Sequence, residues 1–382
     1  MTRDGADVVI IGGGVIGCSI AYHLSARGVS VTLCERETLG SQSTGRCAGG
    51  VRRQFSYRRN VEIQQLAVRL LERFPDEIGV DPAFRRTGYL LVLTEEADVR
   101  SFRELLRMWR ACGVDDARWV STSEITELTP LLGTEGVLGG TYCPSDGIAS
   151  PNEVTAGYAA AARRMGARIL EGVEVRGIDV RRGRVTGVRT SAGELSAPVV
   201  FNCAGAWSGR VGELAGVSIP VLPYPRHVFV TEPLAQLSHD HPMVIDFSTS
   251  LYFHPEGGGL LFGMGARDEA PSFSTEVRWD FLDEIGRVAS RRAPGLLDAG
   301  VRTGWVGLYE STPDHQPVLG PVAALEGFWC ACGFSGHGFQ QAPAVGLLLA
   351  EQLTGGRPRL DLSPFAAERF ARGSQIPERN VV

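Results

Sequence analysis

The stretch that most constrains this chain lies at its start, VVIIGGGVIGCSIAYHLSARGVSVTLCE over residues 8–35. Val8 to Ile11 form an apolar, β-branched run that suits a strand buried on both faces of a parallel sheet. Gly12-Gly13-Gly14-Val15-Ile16-Gly17 follows at once and fits G-x-G-x-x-G, with Gly12, Gly14 and Gly17 in the marked places. The first glycine serves the tight turn, the second lets backbone approach a pyrophosphate, and the third lets helix pack on strand. Ile16, Ile20 and Leu24 then recur at helical spacing, which aims the amides of a helix N-terminus at the ligand. Gly28 ends that helix. A second strand, Val29 to Cys34, stops at Glu35, 21 positions beyond Gly14, where a carboxylate accepts both ribose hydroxyls. Strand, helix, strand and acid in register predict a dinucleotide site in a βαβ unit. They do not separate FAD from NAD.

Two further apolar runs end in small-residue turns. Val199 to Ala204 runs into Gly205-Ala206-Trp207-Ser208, and Phe328 to Cys332 runs into Gly333-Phe334-Ser335-Gly336-His337-Gly338-Phe339 before a helical pattern through Leu353. If these share the sheet of Val8–Ile11, the ligand is gripped from the start, middle and end of the chain. The segments at 85–94, 227–233 and 251–265 differ: they have strand length, aromatic and β-branched content, and the turn Pro255-Glu256-Gly257-Gly258. They predict an antiparallel sheet flanked by helices near 97–112 and 277–292. The fold class is therefore α/β (α+β): a Rossmann-type dinucleotide domain (1–84, 145–220, 300–370) interleaved with an antiparallel-sheet substrate domain (85–144, 221–299), and a tail at 371–382. No second glycine motif with its own strand and helix exists to bring NAD(P)H to a flavin, and a lone NAD domain has no need of the C-terminal return strand. FAD is the expected ligand.

Composition narrows the chemistry. All 38 basic residues are arginine, so the chain contains no lysine, which excludes Schiff-base, pyridoxal-phosphate and P-loop mechanisms. The net charge of −5 and the scattering of basic pairs among acids make nucleic acid an unsuitable partner. No run approaches the roughly 20 apolar residues of a membrane span, so a cytoplasmic location is expected. The eight cysteines include no C-x-x-C pair and read as buried thiols, neither a metal site nor a disulfide frame.

GSQSTGRCAGGVRRQF (40–55), TPDHQPVLGPV (312–322) and GFSGHGFQQAPAVG (333–346) carry a resemblance that spans nearly the whole chain. It resembles the FAD-dependent amino-acid and amine oxidoreductases of the D-amino-acid oxidase superfamily, and among them sarcosine oxidase, dimethylglycine oxidase and the β subunits of sarcosine oxidase and dye-linked proline dehydrogenase. The resemblance implies cofactor contacts from Gly12, Gly14, Val15, Ile16 and Gly17, from Glu35 and Arg36, and from Ser43, Thr44, Arg46, Cys47, Ala48, Gly49 and Gly50. It adds Val173, Ala204, Gly205, Trp207 and Gly307, and the closing loop Gly333, Ser335, Gly336, His337, Gly338, Phe339 and Gln340.

It also implies an arginine on the substrate carboxylate, here Arg52 with Arg53 and Arg46 behind it; a guanidinium fork suits that partner. Tyr252, with Phe253 and His254 beside it, is a candidate pocket wall, and His337 and Gln340 join Arg52 and Tyr252 as candidate catalytic residues. Tyr309, Asp314 and His315 make a tempting acid–base set, but Thr312-Pro313-Asp314 reads as a turn first and a catalytic element second. Where family oxidases hold lysines this chain reads Leu260-Leu261-Phe262 and Gln340, and no cysteine stands near Gly307-Leu308, so FAD should be non-covalent. The implied activity is oxidation of the C–N bond of a small secondary, N-methyl or cyclic amino acid to an imine, with O2, a carrier or a partner subunit as electron acceptor. A primary D-amino-acid or glycine oxidase, a 2-hydroxyacid dehydrogenase and a non-catalytic assembly flavoprotein are the alternatives.

Overall fold

A computed structural model describes residues 4–234, 237–238, 240–266 and 269–381. Its first sheet has six strands in the order Val318–Pro321, Phe328–Cys332, Val199–Asn202, Val8–Ile11, Val31–Cys34 and Arg168–Leu170. All neighbours are parallel except the outer pair Val318–Pro321 and Phe328–Cys332. The three strands that lead into glycine turns are thus adjacent, and their tips converge at one edge.

Alternation along Val8–Ile11 explains why the strand is apolar throughout. Val8 and Ile10 pack with the helices Val15–Ser25, Pro151–Arg164 and Gly338–Leu353, whereas Val9 and Ile11 pack with Val188, Leu195 and Val211 on the other face. That second face is covered by a four-stranded sheet, Asp4–Gly5, Gly193–Ser196, Arg184–Thr190 and Val175–Arg181. Two of the covering helices approach closely: a Cβ on Gly346 would lie 2.2 Å from the Ser19 hydroxyl, which itself donates to the Ala342 carbonyl at 2.8 Å.

The second large sheet has eight strands in the order Val301–Ser311, Leu222–Thr231, Gly259–Gly263, Leu251–Glu256, Met243–Asp246, Tyr89–Leu93, Gly139–Cys143 and Arg118–Val120. It is antiparallel but for Met243–Asp246, which runs parallel to Tyr89–Leu93. Phe229, Phe253 and Phe262 face the helix Phe281–Arg292, while Leu91 and Leu93 pack against Phe102, Leu106 and Trp109 of the helix Glu96–Ala111. The hairpin turn is Gly257-Gly258, with Glu256 paired to Gly259 and both glycines at positive φ, as a two-residue connection requires.

Two boundaries differ from the sequence reading. Residues 301–311 belong to the eight-stranded sheet, beside Leu222–Thr231, so the expected break at 300 falls after that strand. The segment set aside as a tail, 371–382, is built into the body as far as the described residues run. The buried Glu378 carboxylate accepts the amides of Ser56 at 2.7 Å and Tyr57 at 3.2 Å and the Asn60 side chain at 2.8 Å. Periodicity could not reveal this, because beyond Arg372 the described residues are neither helix nor strand and are held by polar contacts.

Candidate active site

The converging strand tips frame a channel of about 490 Å³. Its floor is the first glycine turn. Gly12 has φ +108, and a Cβ there would lie 2.3 Å from the Cys203 carbonyl oxygen, so the first and middle strand tips touch through a position open only to glycine. Gly17 faces inward instead, with its Cβ position 2.0 Å from the Gly12 carbonyl oxygen, the close packing its motif position foretells. The Thr44 hydroxyl accepts the Val15 amide at 3.2 Å, which ties the 40–55 segment to the helix N-terminus. Glu35 lines the channel, its carboxylate fixed by the amides of Gly13 at 2.7 Å and Glu37 at 2.8 Å. The Arg36 guanidinium lies 4.0 Å over the Trp207 ring.

The channel opens into a chamber of about 150 Å³ between the two large sheets. Val15, Ile16, Ser43, Thr44 and Glu310 line both spaces. Tyr89, Val228, Met243, Ile245, Tyr252 and Gly307 face the chamber from the eight-stranded sheet, and Arg46 to Gly50, Arg52 and the closing loop face it from the other side. Arg52 is buried, with its guanidinium 4.4 Å over the Phe55 ring; it donates to the Gln54 carbonyl at 2.9 Å and to the Asn380 carbonyl. The Gln340 side-chain oxygen accepts the Arg52 amide at 2.8 Å. His337 is buried edge-on against Phe55, and burial lowers its imidazole to about 3, leaving it neutral.

Glu310 is the ionisable group at the junction. Its carboxylate accepts the Gly333 amide at 3.2 Å, and burial pushes it up to about 7. A carboxyl raised above its ordinary value keeps a proton in the folded protein that the unfolded chain has released. The associated stability is present below about pH 4.5 and lost as pH rises through about 7. In cofactor-free protein, Glu310→Gln should therefore melt above the parent at about pH 8 and converge with it near pH 4.5. Equal melting temperatures at both pH values would refute this.

The channel and chamber gather every proposed cofactor position except Gly17 and Gly333; the latter has φ +76 and abuts Thr312. Of the remaining candidates, Arg53 is committed elsewhere: its Nε donates to Asp146 at 2.7 Å, both side chains being buried. Arg46 lines the chamber but gives its guanidinium to the carbonyls of Ser41 and Val306. Phe253 points into the core opposite the chamber, and the His254 nitrogens meet the carbonyls of Pro255 and Ala48 at 2.9 Å. Asp314 lies in a buried pair with Arg369 at 2.7 Å and lines neither the channel nor the chamber. Of the tempting set Tyr309, Asp314 and His315 only Tyr309 lines the chamber; sequence reasoning missed Tyr89, Arg226 and Glu310 there and Arg210 in the channel. Of those missed, only Glu310 carried a signal, through its place beside the 312–322 motif.

The residues fit a flavin dinucleotide: a glycine turn with no room for a side chain, an acid at the second strand tip, and a channel that leads into a chamber between the two sheets. Comparison with known proteins agrees. A family model described as FAD dependent oxidoreductase matches residues 7–352. Mitochondrial sarcosine dehydrogenase of Mus musculus is 31% identical over 96% of this chain, and FAD-dependent oxidoreductase domain-containing protein 1 of Xenopus laevis is 32% identical over 99% of this chain and 85% of its own length. The chain spans only 41% of the sarcosine dehydrogenase. Among solved structures, L-proline dehydrogenase from P. horikoshii superposes with TM-score 0.91 at 33% identity, covering 97% of this chain and 99% of that one. Glycine oxidase from Geobacillus kaustophilus gives 0.84 at 27%, covering 96% and 99%. With the glycine cradle, the return strand and the matched segment in agreement, this chain belongs to the FAD dependent oxidoreductase family.

Proposed function

We propose that the chamber binds a small amino acid with a secondary or cyclic nitrogen and that the enzyme oxidises its C–N bond to an imine, which water then hydrolyses. The observation that carries this reading is the chamber wall: a buried arginine, Arg52, set beside the aromatic rings of Tyr89, Tyr252 and Tyr309 directly beyond the dinucleotide channel. The relatives named as sarcosine and proline dehydrogenases and glycine oxidase support it.

FAD, when bound, supplies the acceptor for a hydride leaving the substrate carbon. The protein's part is to orient that carbon and balance charge. Arg52 holds the carboxylate with the N–H groups left after its bonds to Gln54 and Asn380, and the Gln340 and Phe55 contacts fix its direction. The helix Gly338–Leu353 presents its unbonded first amides beside the chamber, a favourable place for negative charge. Neutral His337 adds no competing charge.

Leu261 packs against Tyr252 and Ala48, and no lysine exists to activate oxygen, so we assign an electron carrier in preference to O2. Among the described residues no helix is long and apolar enough to cross a membrane.

The test is anaerobic titration of the yellow protein with N-methyl, cyclic, primary and hydroxy acids. Secondary or cyclic amino acids should bleach the flavin, and the bleached protein should recover colour slowly in air and quickly with a soluble dye. Bleaching by hydroxy acids alone would reject the reading.

A further inference from the structure

We propose that the chamber prefers a substrate whose nitrogen bears a second carboxylate-containing arm, an N-carboxyalkyl amino acid, and that Arg226 receives that second carboxylate. This rests on the amino-acid reading of the chamber above.

Arg226 sits on the long strand Leu222–Thr231, opposite Gly307 on its neighbour, and lines the chamber. It stacks 5.1 Å over the Tyr309 ring. Among the described residues its bonding is incomplete. One terminal nitrogen donates to the adjacent Pro225 carbonyl at 2.9 Å, and the Glu269 carboxylate stands 3.8 Å off, beyond hydrogen-bond range. The buried Nε meets no acceptor among the described residues. Arg46 and Arg52, by contrast, each donate to two backbone carbonyls. A buried donor that lacks its acceptor is where a ligand gains most, since the cost of stripping its water is already incurred.

Charge points the same way. The chamber is lined by Arg46, Arg52 and Arg226 against a single carboxylate, Glu310, which burial holds protonated up to about pH 7. A substrate with one carboxylate on Arg52 leaves Arg226 with only its long ion-pair contact to Glu269, at 3.8 Å. Arg52, Arg226 and the Tyr309 ring over which Arg226 stacks all line the chamber, and a ligand with a carboxylate on each side of its nitrogen bridges the two guanidinium groups. Glu269 competes for Arg226 from the loop after Gly265, but its own carboxyl is raised by burial, so the pair is a weak rival.

The experiment uses the flavin-loaded enzyme and two inert thioether acids, thiodiacetate with two carboxylates and methylthioacetate with one, each titrated against the flavin absorption spectrum. The parent should bind the diacid at least about tenfold more tightly. Arg226→Gln should abolish that preference while changing methylthioacetate affinity less than about threefold, and Arg226→Lys, which keeps the charge but loses the fork, should retain part of it. Equal affinities in the parent, or a preference that survives in Arg226→Gln, overturns the proposal. If Arg226→Gln fails to fold, the parent ratio and its reduction in Arg226→Lys decide. Should methylthioacetate bind and N-methyl or cyclic amino acids bleach the flavin while thiodiacetate gains nothing, this inference falls and the proposed function stands; should neither acid bind nor any amino acid bleach it, both fall.

Discussion

Gly12→Ala should purify colourless and bind added FAD at least about 100-fold more weakly than the parent, a loss of about 2.7 kcal/mol. Two costs combine at this position. An alanine at φ +108 is strained by about 1–3 kcal/mol, and its Cβ would stand 2.3 Å from the Cys203 carbonyl oxygen and 2.8 Å from its carbonyl carbon. The second contact matters more, because backbone cannot swing aside as a side chain does. Either the first turn or the tip of Val199–Asn202 must move, and both border the channel. Gly28→Ala is the control: its φ of +76 carries similar strain, but nothing lies within 4 Å of the added carbon, so it should destabilise by about 1 kcal/mol and stay yellow. Flavin absorbance of the purified proteins and an FAD titration decide. A yellow Gly12→Ala with parental affinity would remove the turn from the cofactor site.

That position was legible in the sequence because everything that defines it is local: a buried strand, a turn that only glycine makes, and a helix, within a few residues of each other. The adjacency of the three strand tips was legible for the same reason, since each announces itself as an apolar run ending in small residues. The four-stranded sheet at 175–196 was not. Its outer face carries exposed Arg176, Arg181, Arg184 and Arg189 between inward Ile178, Val185 and Val188, which dilutes an apolar signal. The chamber is harder still, because it is assembled from the faces of strands far apart in the chain. Whether Arg226 or His227 enters it depends on the register of Leu222–Thr231 against Val301–Ser311, and a slip of one residue exchanges them. Asn380 was beyond reach because only the folded chain brings residue 380 to Arg52.

The pair Asp314 and Arg369 belongs to that second kind of information and yields the other large effect. Arg369→Leu should lower the free energy of unfolding by about 3–5 kcal/mol, a large share of the roughly 5–15 kcal/mol that holds a domain together. The two side chains are 1% and 3% exposed and joined by parallel bonds of 2.7 and 3.0 Å; the guanidinium also donates to the carbonyls of Gln316 at 2.7 Å and Phe365 at 2.9 Å. Removing the arginine strands a buried carboxylate and two carbonyls. Removing both charges, as in Asp314→Asn with Arg369→Leu, strands less and should recover part of the loss. Denaturant unfolding of the single and double variants measures the difference, and a double variant no more stable than Arg369→Leu would show that the buried charge is not the cause. The damage should reach the chamber as well. The Asp314 carbonyl accepts the Glu378 amide at 3.0 Å, and the Gln316 side chain donates to the Ile376 carbonyl at 3.1 Å. The same turn therefore anchors the C-terminal segment that holds the Arg52 guanidinium through Asn380, so Arg369→Leu protein that remains folded should also bind carboxylate ligands less tightly than the parent.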